Sequence, residues 1–280
     1  MLVNLTDILK NAQLGRYAVG LFNTTDTDML QAVIEAAEEM KAPVIIGTAE
    51  ILLPYGELRL IAPALVAAAR RAKVPVAVHY DHGLTFERCM EALQLGFTSV
   101  MYDGSEKDYA GNVAATKEIV KIAHAFGATV EGEIGHVGQA SAGDNFAEDL
   151  YTTAEEAGSF CEATGVDALA VSIGTAHGVY KSRPKLNLER LKEIRSAVDT
   201  PLVLHGGSGL SDEDFKETVK SGIAKVNIFT DLCLAGSAAM ERGGQEGLDY
   251  LETRNLKVRA IKEAVMKKIR LFGSQDRALF

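Results

Sequence analysis

The chain has little of what marks secreted, membrane-spanning or nucleic-acid-binding proteins. Its cysteines are three, Cys89, Cys161 and Cys233, each standing alone in 280 residues. An odd number without CxxC spacing excludes a disulfide framework and a cysteine zinc site, and fits a reducing compartment. No stretch approaches the roughly 20 uninterrupted apolar residues of a membrane span. The opening segment, MLVNLTDILKNAQLGRYAVG, lacks the basic and apolar regions of a secretion signal, so a cytoplasmic location is expected. A formal net charge of −9 with no basic stripe argues against nucleic acid as a partner. Phosphorylated metabolites stay open, because backbone amides and helix N-termini bind them locally. No Pro/Ser-rich or single-sign tract marks a linker, so residues 1–280 are expected to form one domain.

What is there is a repeating alternation. Hydrophobic residues make up 47%, enough for a large core. Short β-branched runs predict strands near Tyr17–Phe22, Val44–Gly47, Val76–Tyr80, Ser99–Tyr102, Thr129–Ile134, Ala168–Ile173, Leu202–His205 and Lys225–Ile228. Between them lie helical patterns such as Asp28–Met40 and Asn112–Phe126. Asp26 and Thr27 precede the first as caps, and Thr153 with Glu156 and Ser211 with Asp214 read as capping boxes. Pro43, Pro75 and Pro201 stand at strand entrances, where a missing N–H does little harm. Strand–helix units repeated in this way imply parallel pairing and predict an α/β fold, a single (β/α)8 TIM barrel. An open doubly wound sheet is the alternative. The segments Asp231–Met240 and Asn255–Leu271 predict extra C-terminal helix.

In such a barrel chemistry sits at the C-terminal ends of the strands. His82, His177 and His205 fall at or just after three strand ends, so the barrel places them on one rim. Their separations of 95 and 28 residues match no local metal motif. Three neutral imidazoles with an open fourth position describe a catalytic zinc site. Asp81, immediately before His82, is expected to project differently and to serve as general acid/base near the metal, or else to orient an imidazole. Asp103, Glu131 and Glu133 are placed on neighbouring strands. His124 reads as an ordinary helical histidine, His136 lies in a rim loop, and His79 is expected off the ligand face, in packing or support. The GTAHG and HGGSG runs (Gly174–Gly178 and His205–Gly209) expose amides that, with Ser208 and Thr230, suit a phosphate.

Taken together, VPVAVHYDHG, SVMYDGSEKDY, VEGEIGHVG, DALAVSIGTAHGVY, PLVLHGGSGL and KVNIFTDL resemble, in order and spacing, the signature blocks of class II fructose- and tagatose-bisphosphate aldolases. The resemblance runs from Tyr17 to Ser274 and is similar to the shorter, ketose-bisphosphate-aldolase-like branch. It implies reversible cleavage of a ketose 1-phosphate or 1,6-bisphosphate to dihydroxyacetone phosphate and an aldehyde. Zn2+ on His82, His177 and His205 would polarise the C2 carbonyl, with Asp81 as general acid/base. The resemblance also implies a second or alternative cation position at Asp103 and Glu133, and a pocket for the donor phosphate at Gly178, Gly206, Ser208, Asn227 and Thr230. A monovalent cation (Na+ or K+) beside the phosphate and assembly as a homodimer or homotetramer belong to the same implication.

Some positions depart from the family pattern. No carboxylate directly follows GHVG, which leaves Asp144, Glu148 and Asp149 as possible second proton-transfer groups. Where a Ser or Thr helps hold the distal phosphate, this chain has Thr48, Ala49 and then Glu50. The expectation is therefore an intact donor half-site and an acceptor aldehyde without phosphate. The rival readings are a barrel metallohydrolase, a Schiff-base aldolase using Lys225, and a catalytically silent sugar-phosphate binder.

Overall fold

Each predicted strand run is a strand in the computed structural model, which describes residues 1–135, 138–139, 151–178 and 184–278. In chain order the first elements are β1 (Leu2–Val3), α1 (Leu5–Gly15), β2 (Val19–Asn23), α2 (Thr27–Glu39), β3 (Val44–Ala49), α3 (Leu58–Arg71), β4 (Val76–Gly83), α4 (Phe86–Gln94), β5 (Ser99–Tyr102), α5 (Tyr109–Ala125) and β6 (Thr129–Ile134). The rest are β7 (Gly138–Gln139), α6 (Ala154–Thr164), β8 (Ala168–Val171), β9 (Ala176–His177), α7 (Leu188–Ala197), β10 (Leu202–Leu204), α8 (Asp212–Lys220), β11 (Ile223–Ile228), α9 (Thr230–Gln245) and α10 (Tyr250–Phe272). Strands β2, β3, β4, β5, β6, β8, β10 and β11 pair in parallel, each with the next, and β11 returns to β2. The sheet is closed, a (β/α)8 TIM barrel rather than an open sheet. Strand β1 pairs with the start of β4 at the lower end, and α1 lies across that end.

Local chemistry explains the boundaries. Asp26 caps α2 by accepting from the Met29 amide at 2.8 Å, and Thr27 is the first helical residue rather than a second cap. Thr153 with Glu156 and Ser211 with Asp214 form reciprocal capping boxes, as their spacing predicts. Tyr17 is not yet strand. Its amide bonds Ala12 O in the turn that ends α1, so β2 starts at Val19. The additional helix is real: α10 packs on α2, α8, α9 and β2. Arg254 and Lys257 on α10 reach Asp26 and Asp28 at the start of α2. Among the described residues no helix is long and apolar enough to cross a membrane.

The strand period of two sorts side chains into an outer layer under the helices and an inner column. Val44, Ile46, Val76, Val78, Tyr80, Val130, Leu169, Val171, Leu202, Leu204, Val226 and Ile228 face outward into the helix-packed core. The inner column is apolar below, where Leu5, Ile8, Leu9 and Ala12 of α1 meet Val19, Leu21, Ile45, Ala77, Ala168, Ala170 and Val203. One period higher, the same strands present Asn23, His79, Asp81, Glu131, Glu133, His205, Lys225 and Asn227, all buried. The polar site is thus the upper continuation of the barrel interior.

Candidate active site

Two backbone irregularities converge the histidines. In β4 the pairing with β5 shifts register between Tyr80 and Gly83, and His82 adopts φ +45°, a left-handed conformation uncommon for residues other than glycine. The bulge breaks alternation, so Asp81 stays on the inward face while His82 also turns over the barrel mouth. Gly206, at φ +64°, lets the turn after β10 run against Ala176, where a Cβ would lie 2.4 Å from the Ala176 carbonyl oxygen. That contact brings His205 beside His177, whose strand β9 pairs with β7 above the barrel.

The three imidazoles form a cluster. Ring centroids are 4.5 Å apart for His82 and His205, 4.9 Å for His82 and His177, and 5.8 Å for His177 and His205. One nitrogen from each lies within 4.8 Å of the others, the arrangement of a shared metal ligand set. His82 Nε2, His205 Nδ1 and Glu133 Oε2 are buried without a hydrogen-bond partner. Buried polar atoms are rarely left so. A cation on them would satisfy all of these at once, so the donor set fits a divalent metal.

The outward nitrogens are held from behind. His82 Nδ1 lies 2.7 Å from Asp103 Oδ2, and Ser105 donates to the other Asp103 oxygen at 2.7 Å. His205 Nε2 lies 2.8 Å from Glu131 Oε1, and its Nδ1 is 3.2 Å from Glu133 Oε2. Carboxylates in this position fix the tautomer and raise imidazole basicity. Asp103 and Glu133, expected at a second cation position, also form a group with His82 whose ligand atoms lie within 4.8 Å of one another.

Asp81 sits between two amides. Asn23 Nδ2 donates to its Oδ2 at 2.7 Å, and Asn227 Nδ2 donates to Oδ1 at 3.0 Å and Oδ2 at 3.2 Å. Burial by itself would raise the carboxyl's pKa. The charges of His82, Lys225 and His205, with the nearby His79, outweigh it and hold Asp81 well below the usual range. In the protein's own field burial works against protonation of His205, but Glu131 and Glu133 push its pKa up to about 10. Burial, reinforced by repulsion from His82 and His205, brings His177 down to about 3.

The remaining expected residues spread around this centre. His79 does share the inward face, contrary to expectation. Depth separates it from the other histidines: it lies a layer below, with Nδ1 2.8 Å from Ser99 Oγ and Nε2 3.7 Å from Asp81 Oδ1. Ser208 Oγ accepts from the amides of Phe229 at 3.3 Å and Asp231 at 3.4 Å, tying the glycine-rich turn to the start of α9. Thr230 opens that helix, whose N-terminus has no side-chain cap, and Gly178 has φ +95° beyond His177. His136, Asp144, Glu148 and Asp149 lie outside the described residues. His124 is a helical surface histidine 2.8 Å from Asp167, as expected. Glu50 Oε2 accepts from Tyr80 OH at 3.2 Å and from the Leu84 amide at 2.8 Å, so its carboxylate is anchored at the β3 rim. Sequence reasoning missed Asn23, although the strand-end rule applied to β2 points to it.

The chain as a whole is similar to known proteins. The sequence profile described as fructose-bisphosphate aldolase class-II matches residues 3–277. The chain is 43% identical over 263 residues to the Escherichia coli (strain K12) protein YdjI, covering 94% of each. It is 42% identical over 308 residues to the fructose-bisphosphate aldolase of Thermus caldophilus, covering 99% of this chain and 100% of the other. The crystal structure of the YdjI aldolase from Escherichia coli K12 superposes with TM-score 0.91 at 39% identity, over 100% of both chains. The chain belongs to the class-II fructose-bisphosphate aldolase family.

Proposed function

We propose that the chain is a zinc-dependent aldolase that reversibly cleaves a ketose 1-phosphate to dihydroxyacetone phosphate and an aldehyde. The observation that carries this reading is the convergence of three imidazoles, two with orphaned nitrogens, beside a carboxylate kept ionised between Asn23 and Asn227. Three nitrogen donors with room for a further ligand favour zinc. Bound there, the ion supplies the Lewis acidity that draws charge toward the C2 oxygen. Asp81 accepts the proton of the C4 hydroxyl as the C3–C4 bond breaks, and returns it in the synthetic direction; the electron pair passes to C3 and the C2 oxygen, and a second acid then protonates C3 to complete dihydroxyacetone phosphate. Its lowered pKa keeps it ionised at neutral pH and so able to accept, and its two amide donors hold the carboxylate in place. Asp103 and Glu131 orient His82 and His205, while Glu133, with His82 and Asp103, would hold the second or alternative cation. Gly178, Gly206, Ser208 and Thr230 hold the donor phosphate, using amides of the glycine-rich turns and the start of α9, which Ser208 braces. Asn227, expected in that pocket, works chiefly on Asp81.

The acceptor half is proposed to carry no phosphate. Glu50 is anchored at the β3 rim, and residues 24–26, 50–57 and 84–87 contain no lysine or arginine. A second phosphate on that side would meet a fixed negative charge and no cation from these loops. The test compares kcat/KM for ketose 1-phosphates with that for fructose and tagatose 1,6-bisphosphates under added zinc. The monophosphates should be preferred; equal or better turnover of the bisphosphates refutes this part and leaves the aldolase reading standing.

A further inference from the structure

Lys225 takes no part in the proton transfer above, yet it is wholly buried in the barrel interior. Its register shift against β10, between Leu202/Ile223 and Val203/Lys225, turns it into the polar layer beside Asn227. Nζ donates to Asn227 Oδ1 at 2.7 Å and to Glu131 Oε1 at 3.1 Å, and lies 2.8 Å from Glu131 Oε2. With its donors engaged by these acceptors, the amine is a buried ammonium partner, unlike a Schiff-base nucleophile, which needs a free lone pair.

Each acceptor leads to a different half of the site. Glu131 Oε1 also faces His205 Nε2 at 2.8 Å, and Asn227 Nδ2 also donates to Asp81. A carboxamide has an acceptor on one side and a donor on the other, whereas an ammonium only donates and a carboxylate only accepts. Between Lys225 and Asp81, Asn227 therefore has one allowed orientation. Turned over, it would set NH2 against NH3+ and oxygen against carboxylate. By the same logic, Glu131 anchored by Lys225 takes the Nε2 proton of His205, leaving Nδ1 to offer its lone pair toward His82 and His177.

We propose that Lys225 is a positioning residue which aligns both halves of the site, fixing the His205 tautomer through Glu131 and the Asp81 orientation through Asn227. The proposal rests on the zinc-aldolase reading, and its readouts are chosen to separate the two. Removing Lys225 alone would strand a buried carboxylate, so two charge-balanced double variants are compared. Lys225→Met with Glu131→Leu removes both links. Zinc affinity, measured by competition with a chromophoric chelator, should fall about 10–100-fold, the usual cost of losing a carboxylate behind a histidine ligand. Its kcat at saturating zinc should fall about tenfold or more, with KM changed far less. Lys225→Met with Glu131→Gln keeps a possible acceptor for His205 but nothing to anchor it, so its zinc affinity should fall several-fold, less than in the first variant, while kcat falls as in the first variant. A residue that merely fills the core would leave both quantities unchanged in both variants. Folded variants with wild-type zinc affinity and kcat overturn the proposal. Should neither fold, NMR of the zinc-loaded wild type decides: His205 should carry its proton on Nε2, and the Asn227 Nδ2 protons should show nuclear Overhauser contacts to the Asp81 Hβ protons. An Nδ1 proton, or the absence of those contacts, overturns it. A wild type active without zinc instead refutes the underlying reading.

Discussion

The lower and upper halves of the barrel interior are built from the same strands by opposite rules. Below, α1 seals the barrel with Leu5, Ile8, Leu9 and Ala12 against Val19, Leu21, Ile45, Ala77 and Val203, and nothing there needs a partner. Above, two residues further along, β2, β4 and β10 present Asn23, His79 and His205, each held by another side chain through one of its polar atoms: Asn23 Nδ2, His79 Nδ1 and His205 Nε2. The apolar half supplies non-directional burial, tolerant of detail. The polar half is costly unless every donor finds its acceptor, and that requirement fixes orientation. Among the buried atoms left without a hydrogen-bond partner, His82 Nε2, His205 Nδ1 and Glu133 Oε2 mark where an ion belongs. Stability and function thus occupy successive layers of one column, and substitutions in the two layers should separate them.

The largest separation should come from Asp81→Ala, which removes the proposed base without touching the imidazoles. Turnover should fall about 10²–10⁴-fold, the range for a lost general base, with zinc content unchanged. Steady-state kinetics beside metal analysis checks it, and a loss of zinc in parallel would instead make Asp81 part of the ligand set. The converse probe is Leu9→Ala in the lower plug. Leu9 is fully buried, so its truncation should cost ~2–5 kcal/mol of stability by denaturant unfolding. The folded fraction should keep near-normal turnover.

A pH titration of metal binding sharpens the contrast further, because the titratable group in the lower cluster, Tyr17, has its pKa raised by burial above the ordinary 10. His205 is raised from 6.5 to about 10, so the stabilisation from its proton is full below pH 6.5 and is lost as pH climbs through 10. Zinc must displace that proton. Affinity should therefore increase roughly tenfold per pH unit for each proton displaced between neutral pH and 10, and binding near pH 7.5 should release protons. Calorimetry in buffers of different ionisation enthalpy measures the release. Asp81, with its pKa depressed, loses its charge only well below pH 4, so the acid limb of activity should follow zinc loss rather than its titration. Ser208→Ala should act least. Its hydroxyl braces the amides at the start of α9, and its loss should raise KM for a ketose 1-phosphate several-fold, by about 1 kcal/mol for one neutral hydrogen bond.

The two layers were also unequally legible in the sequence. The strand runs and the capping residues Asp26, Thr153 and Ser211 are local signals, and they place elements correctly within a few residues. Once strand ends are known, the barrel brings His82, His177 and His205 together although their spacing carries no motif. What stays hidden is register. The bulge that turns His82 at φ +45° and the shift that carries Lys225 inward depend on pairing between strands, which periodicity along one strand does not encode. For the same reason His79 reads as lying off the ligand face when only its depth differs, whereas Asn23 is legible from the strand-end rule applied to β2. Partner choice inside the polar layer is a tertiary property: Lys225 suggested a Schiff base from its strand position, and only its contacts with Glu131 and Asn227 show a lysine with its donors engaged.

The most direct measurement is a titration of metal-stripped protein with zinc, following cleavage of a ketose 1-phosphate and bound zinc per chain together. Activity should be absent without metal, rise in proportion to zinc, and saturate at one catalytic ion per chain, with Asp81→Ala binding the ion but staying inactive. Full activity in the stripped protein, or inactivation by borohydride only in the presence of substrate, would contradict the three-histidine metal site.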